Sequence, residues 1–98
     1  MNETNEIPKK NSFEKKFTIQ NKQGLHARPA ALLVQTANKF SCDVEIQKGR
    51  EKVNGKSIMG IMTLAAGAGT TITIRTSGDD AQAAMEEITR LIETNFGE

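Results

Sequence analysis

The chain has no tryptophan and no tyrosine, and it carries one cysteine, one histidine and two prolines. Its four aromatic residues are all phenylalanine (13, 17, 40 and 96), which leaves no aromatic platform for stacking bases. A single cysteine closes no internal disulfide and builds no cysteine cluster around a metal, which fits a reducing compartment. A single histidine excludes a two-histidine metal site, so any histidine chemistry belongs to His26. No apolar run approaches the roughly 20 residues that a membrane span needs. The polar opening, Met1 to Ser12, lacks the apolar stretch of a signal peptide. These absences predict a cytoplasmic protein without cofactor, metal or membrane partner.

What is present describes one small domain. Ninety-eight residues bury enough surface for one modest core and exclude most multi-domain enzymes. The formal net charge of +1 argues against a dedicated nucleic-acid binder. That sum hides a split. Residues 1–56 hold eleven basic and six acidic side chains (+5), whereas residues 57–98 hold two basic and six acidic (−4). The basic half is either an ordinary solvated surface or a patch that steers an acidic partner. Residues 1–12 offer little to bury and are expected to form a flexible extension, with the domain proper at 13–98.

Periodicity supplies the elements. Phe13, Phe17 and Ile19 share one parity and predict a strand over 13–20, with Lys15 breaking the pattern as an edge residue can. Asn21 to Gly24 forms a turn. Ala30, Leu33, Val34, Ala37 and Phe40 follow helical spacing, and Pro29 belongs in the first turn, which places the helix start at 26–28. Val44 and Ile46 alternate with polar residues in a second strand. Lys48-Gly49-Arg50 turns into a short third strand, 51–53. Ser57 caps a short helix over 58–64. Residues 65–69 are a small, glycine-rich connection. Ile72 and Ile74 face inward from a fourth strand, 70–76. Asp79 and Asp80 open a last helix whose stripe is Ala81, Ala84, Met85, Ile88, Leu91 and Ile92. Four strands with helices on one face make an α+β two-layer sandwich.

Three places could carry chemistry. The first N–H groups of a helix have no intrahelical partners and, with the aligned dipoles, form an anion site. His26 stands at such a helix start. An imidazole there could hold a phosphoryl group against the backbone of Ala27 and Arg28, and the positive helix end favours its neutral, nucleophilic form. Arg28 adds a planar fork of donors, and Gly24 lets backbone approach closely. Taken alone, these residues fit equally a plain helix start with a solvated arginine. Ser57 is either a simple cap or a phosphorylation site beside Lys56. Ile58, Met59 and Met62 share one face of the short helix, with Ile61 and Leu64 opposite, and form either core or an adaptable exposed patch.

The segment Gly24-Leu25-His26-Ala27-Arg28-Pro29-Ala30 resembles the active-site signature of the HPr family, the histidine-containing phosphocarriers of the bacterial phosphoenolpyruvate-dependent sugar phosphotransferase system. Lys56-Ser57-Ile58-Met59-Gly60-Ile61-Met62 resembles that family's regulatory serine region. The spacing of the two segments and the order of elements agree with it over residues 13–96. The resemblance implies an open-faced β-sandwich, βαββαβα, with an antiparallel sheet in the order 1-4-2-3. It implies a monomeric carrier rather than an enzyme. His26 would accept a phosphoryl group on Nδ1 from enzyme I and hand it to the IIA domains of sugar permeases, with Arg28 stabilising it. Ser57 would be the target of HPr kinase/phosphorylase and would serve a catabolite-control regulator. Leu25, Ile58, Met59 and Met62 would dock partners. Gln23 stands where the family often has Ser, Thr or Asn. An alternative is a regulatory paralogue acting through protein contacts or in a nitrogen-related branch.

Overall fold

The computed structural model describes residues 11–97. The elements run β1 (Ser12–Thr18), α1 (Ala27–Ala37), β2 (Asp43–Lys48), β3 (Glu51–Asn54), α2 (Ile58–Thr63), β4 (Thr71–Ser77) and α3 (Ala81–Glu93), closed by a 3₁₀ turn at Asn95–Gly97. All strands pair antiparallel in one sheet of order β1-β4-β2-β3. This is the expected open-faced sandwich. Of the extension expected over 1–12, residues 1–10 lie outside the described residues. Ser12 itself pairs with Ser77 as the first residue of β1.

Alternation along the strands decides which face meets the helices. Phe17, Ile19, Val44, Ile46, Ile72 and Ile74 point to one side and are buried. They meet Ala30, Leu33, Val34 and Ala37 of α1 and Ala81, Ala84, Met85, Ile88 and Ile92 of α3 in one core. Leu91, expected in that stripe, is only partly buried against it. Lys15 shares the inward parity, which an edge strand tolerates, and its ammonium stands 5.5 Å from the Phe17 ring centroid. The opposite face is polar. There Arg75 donates to Glu14 (2.9 Å), Glu45 (3.0 Å) and Gln47 (2.7 Å), joining the three neighbouring strands β1, β4 and β2.

Two polar side chains fix the start of α3, one to the sheet and one to the α1–β2 connection. Thr76 is fully buried, and its hydroxyl donates to the Ala81 carbonyl at 2.9 Å, which satisfies both groups. Asp80 is the N-cap of α3, yet its carboxylate does not cap that helix. It reaches instead to the α1–β2 connection and accepts from the N–H groups of Ser41 and Cys42, both at 2.9 Å. These bonds, the one from Ser41 foremost, hold the Asp80 carboxyl below the ordinary aspartate range. Burial pushes the Cys42 thiol up, with Asp80 adding to the shift, so the sulfur remains a protonated core group.

Because the folded Asp80 is more acidic than the unfolded one, its contribution is present above the unfolded value and is lost as pH falls through the folded one. Asp80→Asn should therefore lower Tm at neutral pH, and the gap from the parent should close in strong acid. Thermal unfolding followed by circular dichroism between pH 7 and pH 2 checks this. A gap independent of pH would remove the carboxylate charge from the account.

Candidate functional site

His26 is the N-cap of α1, with extended backbone (φ −78°, ψ −168°). Its carbonyl accepts from the Ala30 N–H at 3.0 Å and so starts the helix, while its half-buried imidazole makes no cap bond. Ala27, Arg28 and Pro29 are the first three helical residues. Helix geometry leaves the N–H groups of Ala27 and Arg28 without intrahelical acceptors, and Pro29 has none to leave. Ala27 and Arg28 are exposed and Pro29 is buried, so the open side of this turn faces solvent and its other side is anchored in the core. The arrangement suits an anion held at the positive end of an 11-residue helix.

The loop before His26 is held by backbone contacts. Asn21, buried, donates from Nδ2 to the Gly24 carbonyl at 2.6 Å and accepts the Gly24 N–H on its own carbonyl at 3.0 Å. Gly24 takes φ +70°, and a Cβ there would stand 2.4 Å from the Ala66 carbonyl oxygen. That proximity lets the Leu25 N–H donate to Ala66 at 2.8 Å. Ile19 and Gly69 extend the same seam, since Ile19 donates to Thr70 and Gly69 donates to Ile19. The small residues 65–67 are therefore the surface against which the His26 loop is laid. An open depression of about 260 Å³ marks the junction, lined by Gln23, Leu25, His26, Met62, Ala65, Ala66 and Gly67.

The exposed patch lies along the neighbouring α2. Ile58, Met59 and Met62 are 42 %, 73 % and 39 % exposed, whereas Ile61 and Leu64 are buried. Leu25, expected to dock partners, is 4 % exposed and lines the depression beside His26. The turn at Gly24 directs its side chain inward. Ser57 caps α2, its hydroxyl accepting the Gly60 N–H at 2.9 Å. Lys56 beside it donates to the Phe40 carbonyl at 2.7 Å, which ties α2 to the end of α1. Two contributors were not apparent in the sequence. Lys48, expected in a turn, ends β2 and donates to the carbonyls of Leu64 (2.9 Å) and Ala65 (3.2 Å). Ala65 itself holds φ +50°. The signal for Lys48 was its parity with Val44 and Ile46, and for residues 65–67 their uniformly small side chains. Among the described residues no group of three or more His, Cys, Asp or Glu could hold a metal ion, and no helix is long and apolar enough to cross a membrane.

Residues 13–94 match the family model for the PTS HPr component phosphorylation site. The chain is 54 % identical over 80 residues to the HPr-like protein Crh of Halalkalibacterium halodurans, covering 82 % of this chain and 95 % of that one. It is 50 % identical over 87 residues to the phosphocarrier protein HPr of Xylella fastidiosa, with coverage of 88 % and 97 %. The crystal structure of HPr-C-His from Thermoanaerobacter tengcongensis superposes with a TM-score of 0.85 at 50 % identity, over 88 % of this chain and 97 % of that one. Solved relatives include dimers, an HPr dimer from the same organism and a domain-swapped Crh from Bacillus subtilis. Relatedness therefore does not fix the expected monomer.

The close approach at Gly24 separates two costs. Gly24→Ala meets both the left-handed backbone and the Ala66 carbonyl and should destabilise by about 3 kcal/mol. Gly49→Ala has φ +60° and nothing within 4 Å, so it should lose only about 1 kcal/mol. Urea unfolding of both variants tests the comparison. Equal losses would mean that the loop has room to move away from Ala66.

Proposed function

The chain belongs to the HPr family of phosphocarrier proteins, and we propose that it accepts a phosphoryl group on His26 from phosphorylated enzyme I, charged by phosphoenolpyruvate, and passes it to the IIA domains of sugar permeases. The supporting observation is the position of His26, at the N-cap of α1 and on the rim of a depression it shares with Met62 of the exposed patch. The Nδ1 lone pair forms the new N–P bond on one side of phosphorus while the donor's N–P bond breaks on the other. Only the phosphoryl group moves between the two imidazoles. Little covalent work is asked of the carrier, because phosphoryl transfer depends on positioning and charge stabilisation. The N–H groups of Ala27 and Arg28 meet the phosphoryl oxygens, and the Arg28 guanidinium offsets their charge.

Both partners must reach His26 in turn, so contacts have to be small and short-lived. Ile58, Met59 and Met62 form the docking patch, where two thioethers adapt to different partner shapes. Ser57 is the regulatory site, modified by HPr kinase/phosphorylase and then recognised by a catabolite-control regulator. A phosphate on Ser57 adds charge at the head of α2, directly before Ile58 and Met59. This reading implies a cytoplasmic protein. Similarity to Crh, described for Bacillus subtilis as the catabolite repression HPr, favours a second reading in which Ser57 supplies the main output.

Incubation with phosphoenolpyruvate and enzyme I should give an acid-labile adduct that maps to His26 and is absent from His26→Ala. An adduct that survives in that variant would overturn the assignment. Arg28→Ala should slow transfer at least about tenfold with Tm unchanged, because it removes charge stabilisation from an exposed side chain. With ATP and HPr kinase, the parent should label and Ser57→Ala should not. A parent that stays unlabelled leaves Ser57 as a helix cap alone.

A further inference from the structure

Lys48 is the last residue of β2, and its side chain shares the inward parity of Val44 and Ile46. Its ammonium donates to the Leu64 carbonyl at 2.9 Å and the Ala65 carbonyl at 3.2 Å. Leu64 is the C-cap of α2. Carbonyls at a helix end lack intrahelical donors and form its negative pole. Ala65 takes φ +50°, a conformation that an alanine holds only where its surroundings impose it. The next carbonyl, that of Ala66, receives the Leu25 N–H at 2.8 Å. Ala65, Ala66 and Gly67 line the depression together with His26.

We propose that Lys48 is a positioning residue for the phosphoryl site. Its ammonium holds the end of α2 so that Ala66 presents its carbonyl to Leu25, and this sets where His26 and the first turn of α1 stand. The same charge offsets a negative helix end in the wall of a site that receives an anion. The proposal rests on the carrier reading for its chemistry, while the mechanical link from Lys48 to Leu25 can be measured without it.

Lys48→Met keeps the apolar stem and removes the ammonium, and Lys48→Arg restores a donor. With this protein as the substrate of enzyme I, Lys48→Met should lower kcat about tenfold, as a small displacement of a reacting group does, and leave KM unchanged. Lys48→Arg should recover most of that loss. Native-state hydrogen exchange supplies the readout independent of activity. In Lys48→Met the Leu25 amide should exchange about tenfold faster, while the central β4 amides keep their protection. An unchanged kcat in a labelled protein would overturn the positioning role. So would an unchanged Leu25 rate, and so would equal loss of protection at Leu25 and in β4, which would mean general destabilisation. If the parent protein takes no phosphoryl group on His26, the carrier reading falls and with it the phosphoryl role of Lys48. The exchange pattern then still decides whether Lys48 holds the loop.

Discussion

The site depends on one backbone contact, the Leu25 N–H on the Ala66 carbonyl. It exists because Gly24 has no side chain. A Cβ at that position would overlap the carbonyl that Leu25 bonds, and the φ of +70° would be strained for any other residue. From this contact the rest of the loop follows. Asn21 closes the turn behind Gly24 and Leu25 anchors it in the core. His26 is left at the point where extended chain becomes helix. A phosphoryl acceptor on a loose loop would need ordering at every transfer. Here the ordering is already built in, because the loop is hydrogen-bonded to the 65–70 connection at both ends, through Ile19 and Leu25.

That connection in turn relies on elements distant in sequence. β2 sends Lys48 to its start, and Ile19, the residue after β1, meets its far end at Thr70. The sheet therefore supports the loops twice, by burying Phe17, Ile46, Ile72 and Ile74 beneath the helices and by reaching the connection from the ends of its strands. Exposed ion pairs add little to this. Lys39 and Glu87, at 3.0 Å and well solvated, are worth a fraction of a kcal/mol at most. Apolar burial and satisfied buried polar groups such as Thr76 carry the stability.

The architecture was legible in the sequence because its periods are strong. Each helix and strand lies within about two residues of its expected bounds, and spacing alone sets Ile58, Met59 and Met62 on one face of α2, although only the structure shows that face exposed. The start of α1 was legible from Pro29, which fits only a first turn there. Side-chain contacts across the fold were not. Lys48 meets Leu64 across 16 residues and Asp80 meets Ser41 across 39, distances over which local pattern carries no information. Asp80 suits the positive end of α3 by its charge and does stand at that helix start, yet its oxygens accept from the N–H groups of Ser41 and Cys42 and not from the helix. Phe96 entered the core through a left-handed backbone (φ +57°) that no helical or strand period encodes. Leu25 follows an apolar residue's ordinary preference for burial. Family resemblance sets it among the docking residues, and the structure places it, mostly buried, in the lining of the depression beside His26.

The layout of α2 bears on how a modification at Ser57 would act. Six helical residues rise about 9 Å, so Ser57 heads the helix while the depression beside His26 lies toward its other end, past Met62. A phosphate at Ser57 is in hydrogen-bonding reach of its own helix N-terminus but does not reach the Ala27–Arg28 turn along this path. Its charge falls first on Ile58 and Met59, within the roughly 8 Å over which salt leaves it unscreened. Partners that dock on apolar surface would meet a dianion at the edge of their footprint, and partners with a basic rim would gain a new contact. One covalent change would thus weaken one class of association and create another without altering the proposed phosphoryl site. Ser57 modification should accordingly act on how partners bind, with the geometry at His26 left as the Gly24–Ala66 contact sets it.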